Sequence, residues 1–144
     1  MRSFLCGLFV LWAAACSDPN ALPDATLTNV ERTETLYSLI GTPVATPSGY
    51  ALEGGLVRTD QSDAFDFAYN VEPDGRHVFL PRAALGIDTS NTLNPGFLAR
   101  TESFEAIKSA PSNGYVSDRA IPIAVGERYI VRSRVTCTIG VPKY

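Results

Sequence analysis

The clearest period in the chain runs from Ala64 to Leu80. Phe65, Phe67, Tyr69 and Val71 fall on one face of an extended segment, and Ala64, Asp66, Ala68 and Asn70 fall on the other. Successive side chains of a strand point to opposite faces, so this alternation predicts a half-buried antiparallel strand with its aromatics inward. Glu72-Pro73-Asp74-Gly75 follows with turn chemistry, proline presetting φ early and glycine accepting a positive φ late. His77-Val78-Phe79-Leu80 returns as the partner strand, and Pro81, with no N–H to donate, ends the ladder. A β-hairpin is expected here.

The rest of the pattern is also β-like, with short β-branched and aromatic runs separated by Gly, Pro, Asn and Asp. Strands are predicted at Thr26–Val30, Glu34–Ile40, Tyr50–Leu52 and Leu56–Thr59, with Gly54-Gly55 turning between the last two. Ile121, Ile123 and Val125 alternate as another strand, and Gly126-Glu127 turns. Arg128–Cys137 then reads as one long strand, with Tyr129, Val131, Val135 and Cys137 opposite Arg128, Ile130, Arg132 and Arg134. Ser133 does not interrupt that period. Leu85 to Gly96 holds too many turn formers for regular structure, and Glu102–Ala110 is the one stretch suited to a helix. In it Phe104 and Ile107 lie one turn apart, and Pro111 closes it. The fold class expected is mainly β: a single antiparallel β-sandwich or barrel-like domain of about six to eight strands with one short helix, over residues 26–144.

Residues 1–15 do not fit that domain. Arg2 is the sole charge before Asp18, and Phe4 to Ala15 is a run of twelve apolar or small residues. A membrane-spanning helix needs about twenty. A positive start, a short apolar run and the small residues Ala13 and Ala15 make an export signal cut between Ala15 and Cys16. Residues 16–25 carry two prolines and two aspartates without periodicity and read as a linker. Removing the signal takes Arg2 away and leaves 11 basic and 15 acidic residues, a net charge of −4. Mild acidity and export both argue against a nucleic-acid partner. Cysteine usage agrees with export followed by modification. Cys6 leaves with the signal and Cys137 alone remains in the folded part, so neither a disulfide framework within the chain nor a cysteine-only metal site is expected. Cys137 is read as a buried, apolar-like strand residue.

Ala13-Ala14-Ala15-Cys16 resembles the lipobox of bacterial lipoproteins, and Ser17-Asp18-Pro19-Asn20 after it resembles their polar tether. The resemblance implies that the Cys16 thiol carries diacylglycerol, that Cys16 becomes the first residue, and that its amine is acylated with a fatty acid such as palmitate. Two or more chains anchor a protein stably where one is marginal. The location implied is the cell envelope, in the outer membrane ahead of the inner, with plain secretion as the alternative. An exported tether followed by a β domain with the Phe65-Asp66-Phe67-Ala68 element is similar to many uncharacterised bacterial lipoproteins. It is also similar to the haem-binding, all-β HmuY-like lipoproteins, but His77 is the sole histidine and a two-histidine haem site is not available.

The chemistry legible in the remaining residues is sparse. With His77 the sole histidine, neither a catalytic triad nor a two-histidine metal site is expected within one chain, and a Cys137/His77 dyad is left as a formal option with a structural role for His77 preferred. Asp60, Asp63 and Asp66 recur three apart and are weak candidates for a hard cation, without the D-x-D-x-D-G spacing of an EF-hand. They are read first as a solvated loop of Asx turns, and Asp88, Ser90, Asn91 and Asn94 have the same standing. Arg128, Arg132 and Arg134 form a possible anion-binding stripe for an envelope glycan, against the plainer reading of arginine stems covering the wet side of a strand. There is no Walker loop, nucleophile elbow or H-E-x-x-H. No catalytic set, metal or cofactor is expected. The function expected is a lipid-anchored envelope protein with a β-rich binding or structural domain, its partners the membrane through Cys16 and an envelope glycan or protein. The alternative is an exported enzyme acting on an envelope glycan or small substrate.

Overall fold

In the computed structural model, residues 31–87, 94–134, 136–138 and 141–143 are described, the last two runs for their backbone. Thr33–Tyr144 forms a compact unit. The predicted Thr26–Val30 strand, the signal and the linker lie outside the described residues.

The turn expected at Glu72-Pro73-Asp74-Gly75 is present. β3 (Phe67–Val71) and β4 (His77–Pro81) pair antiparallel, with Tyr69 opposite Phe79 and Val71 opposite His77. The Glu72 N–H donates to the Arg76 carbonyl, and Gly75 takes φ +83° where a side chain would be strained. β1 (Gly49–Ala51) and β2 (Gly55–Val57) form the hairpin predicted around Gly54-Gly55, with Ala51 opposite Gly55. With β6 (Ile121–Pro122) these strands make a five-stranded antiparallel sheet in the order β2-β1-β3-β4-β6. β5 (Gly96–Arg100) and β7 (Arg128–Arg132) form a separate ribbon, as do β8 (Thr136–Thr138) and β9 (Val141–Lys143). The chain is therefore mainly β and antiparallel, with nine short strands among the described residues.

The core sits where the β5–β7 ribbon meets the sheet. Phe97 of β5 lies 5.0 Å from the Phe67 ring and 5.2 Å from the Phe79 ring, and Tyr129 of β7 closes on it edge-to-face at 6.0 Å. Phe97 is fully buried. Aromatic pairs at these distances contribute about 0.5–1.5 kcal/mol each beyond their area. Gly96 lets the ribbon approach: a Cβ there would stand 3.0 Å from Tyr115 Cβ and 3.1 Å from the Val116 carbonyl oxygen.

Four expectations are corrected. Glu34–Ile40 is not a strand; its Ser38 side chain and Leu39 N–H instead attach to β3 beyond the end of β1. Glu102–Ala110 is not a helix but a single 3₁₀ turn, Phe104–Ala106, with Phe104 71% exposed. Two large apolar residues in nine give no buried face to stabilise a nucleus, and isolated short helices are marginal. The strand expected through Ile121, Ile123 and Val125 stops at Pro122, and Val125 is fully exposed. Arg128–Cys137 is not one strand, because the ladder stops at Arg132 and resumes at Thr136 in a different ribbon. The break at Ser133-Arg134 has a specific cause. The Arg134 N–H leaves the strand direction to donate to the Asp66 carboxylate at 2.9 Å.

Candidate functional site

Asp66 stands one residue before β3, between Phe65 and Phe67, and is 2% exposed. A buried carboxylate is stable only where its oxygens are hydrogen-bonded. Here Oδ2 accepts the Leu52 N–H at 2.7 Å and Oδ1 accepts the Arg134 N–H at 2.9 Å. Its own N–H donates to the Tyr50 carbonyl at 2.8 Å. One side chain thus ties the β1–β2 turn, the start of β3 and the break after β7. The alternation that predicts an outward Asp66 fails because both faces of this strand are covered. Ala68 and Asn70 on the same side are also buried, and the Asn70 carboxamide oxygen accepts from the Ser38 hydroxyl at 3.0 Å and the Ile40 N–H at 3.1 Å.

Between the β1–β2 hairpin, the loop that follows it and Arg134 lies an open depression of about 710 Å³. Glu53, Leu56, Arg58, Gln61, Ser62 and Arg134 line it. The loop is held in shape by local bonds. Both the Gln61 and Ser62 N–H groups donate to the Arg58 carbonyl at 3.1 Å, and the Ser62 hydroxyl accepts from the Ala64 N–H. The Ser48 and Thr59 hydroxyls meet at 2.8 Å and fasten the loop to the sheet. From beneath, the buried Arg82 guanidinium donates to the Asp63 and Phe65 carbonyls and sits 5.7 Å from the Phe65 ring centre.

The two arginines of the depression differ. Arg58 is engaged by Asp60 through two hydrogen bonds, the shorter at 2.7 Å, and donation from Arg58 is the main cause holding the Asp60 carboxyl below its usual range. The Arg134 guanidinium has no carboxylate or hydrogen-bond partner among the described residues, although the residue is half-buried and its backbone is pinned. The surface therefore presents a fork of N–H donors beside the Gln61 amide, the Ser62 hydroxyl and the apolar Leu56, which is 40% exposed. That set suits a ligand with an acceptor-rich polar body.

The residues singled out in the sequence are dispersed. Asp60 pairs with Arg58, Asp63 is exposed with its carboxylate 3.9 Å from Arg82, and Asp66 is buried on two backbone amides. Asp66 is thus no part of a solvated loop, and no group of three or more acidic, His or Cys side chains stands ready for a metal among the described residues. Arg128, Arg132 and Arg134 do not make one stripe. Arg128 is exposed, with Glu105 near enough to feel its charge; Arg132 donates to the Asn94 carbonyl at 3.0 Å and covers the Tyr115 ring at 4.8 Å; Arg134 lies past the strand end. His77 is exposed and stacks on Tyr69, whose hydroxyl meets its Nδ1. Cys137 is on β8, which pairs only with β9 among the described strands, so no ladder joins it to His77 on β4. Ala15, Cys16, Asp88, Ser90 and Asn91 lie outside the described residues. Glu53, Arg58, Gln61 and Ser62 were not foreseen as a set, because a loop without periodicity gives no sign of which residues will converge. No family model, no curated protein and no solved structure matches this chain.

Proposed function

We propose that the chain is exported and held in the bacterial cell envelope by acyl chains on Cys16, and that its β-rich domain works by binding. The ligand proposed is a polar envelope glycan, and the binding surface is the depression around Arg134. Anchoring is supported by the order of Arg2, a short apolar run and Ala13-Ala14-Ala15-Cys16. The observation that carries the binding half is the Arg134 guanidinium, unengaged among the described residues yet set by its backbone into a concave surface. Guanidinium forks match planar acceptors well, and sugars supply hydroxyls for Gln61 and Ser62.

Two experiments test this. Cys16→Ser should abolish labelling by a fatty-acid probe and move the protein from the membrane to the soluble fraction; membrane retention after that change would overturn the anchor. Acylated protein in detergent should retain envelope glycan fragments without cleaving them. Failure to retain any fragment, or turnover of one, would overturn the binding role.

A further inference from the structure

We infer that Arg134 is the specificity-determining residue of the depression, selecting a saccharide that carries an anionic group, and that Asp66 is the positioning residue that aims it. This rests on the binding role proposed above and goes beyond it by naming the charge the ligand must bear. The depression holds Arg58, Arg134 and Glu53, but Asp60 already satisfies Arg58. That leaves one guanidinium to meet a carboxylate or phosphate, with Glu53 opposing any ligand of high negative charge. Charge-assisted bonds of this kind are roughly twice as strong as neutral ones, and the planar fork favours two-pronged contact.

Position follows from Asp66. Residues 133–134 belong to no strand, so nothing in a ladder fixes where Arg134 points. Its N–H is instead fixed on a carboxylate whose other oxygen holds Leu52, next to Glu53 on the opposite wall. The same buried anion sets both walls and is itself out of reach of ligand.

The test titrates the full acylated chain in detergent with trigalacturonate, N-acetylglucosamine 6-phosphate and neutral chitotriose by calorimetry. At least one anionic probe should bind about tenfold or more tighter than chitotriose, an advantage that shrinks as salt rises. Carboxylate preference points to a sugar acid and phosphate preference to a phosphorylated glycan; either supports the inference. Arg134→Gln should remove the advantage, Arg134→Lys should restore part of it, and Arg58→Gln, at an arginine already paired with Asp60, should change the advantage less than Arg134→Gln does. Equal binding of charged and neutral probes, or an unchanged Arg134→Gln, would overturn the inference while the binding role stands. Binding of none of the three would overturn the binding role itself.

Asp66→Asn keeps the shape but leaves one acceptor oxygen for two amides, and should lose most of the anion advantage. Amide exchange of the unaltered protein gives an independent reading. The Arg134 N–H should exchange far more slowly than that of Ser133, and equal rates would overturn the role of Asp66 even where Asp66→Asn fails to fold.

Discussion

The two sides of β3 are built from opposite kinds of interaction. Phe67 looks into a cluster with Phe79 and Phe97, where attraction is non-directional and scales with covered area. Asp66, Ala68 and Asn70 look the other way, where Asp66 and Asn70 hold Leu52, Arg134, Ser38 and Ile40 through bonds of 2.7–3.1 Å. The first region joins a sheet to a ribbon and tolerates changes that conserve volume. The second joins irregular segments that no ladder could hold, and it depends on atoms standing within hydrogen-bond reach. The candidate site lies with the polar side, since Arg134, held by Asp66, lines the depression.

Truncating the aromatic side should give the largest effect. Phe97→Ala removes the ring that contacts Phe67, Phe79 and Tyr129, and should cost about 3–5 kcal/mol by urea unfolding. Phe97→Leu should recover more than half of that. If both cost less than about 1 kcal/mol, the ribbon is not held by this cluster.

The polar side should come next. Asp66→Ala strips the Leu52 and Arg134 amides of their partner, and each unsatisfied buried donor costs about 1–3 kcal/mol. A total of about 2–4 kcal/mol is expected, with relief where water enters from the depression. The comparison sharpens if the two substitutions differ in kind. Phe97→Ala should loosen the whole domain, while Asp66→Ala should speed amide exchange first around 52–54 and 133–134. Uniform loosening by both would show that the two sides are not separable.

The same division explains how much could be read from the sequence. The β3–β4 hairpin was legible because its signals are local: a two-residue period, then Pro73 and Gly75 at the positions a turn requires. The β1–β2 turn was legible for the same reason. The break after Arg132 was not, since one serine on the apolar face at 133 is too slight a signal and the cause is a carboxylate 68 residues earlier in the chain. Asp66 was misplaced on the wet face for the complementary reason, as its partners are backbone amides and every residue has those. The depression inherits both blind spots. Of the three arginines read on one strand, Arg134 alone lines the depression, and it stands on a bend past the strand end.

The smallest expected effect lies at the edge of the aromatic side and reports through pH. The Tyr129 hydroxyl lies 2.6 Å from a Glu127 carboxylate oxygen and 2.9 Å from the Pro122 carbonyl, its one proton between two acceptors. That oxygen of Glu127 also accepts the Ala124 N–H at 2.8 Å, so the carboxylate clasps the turn between β6 and β7. Partial burial, followed by the adjacent carboxylate, raises the Tyr129 pKa from 10.0 to about 12. Donation from Tyr129 in turn holds the Glu127 carboxyl below its usual range. The signs then follow from linkage. A phenol whose folded pKa is raised contributes stability fully present below about pH 10, the unfolded value, and lost as pH rises through the folded one. Ultraviolet titration should therefore show one of the six tyrosines ionising near pH 12. Glu127→Gln removes the charge but keeps an acceptor, and should bring that step part of the way back toward 10 because the burial contribution remains. A step unmoved by Glu127→Gln would leave desolvation as the whole cause and tie Tyr129 to the aromatic side alone.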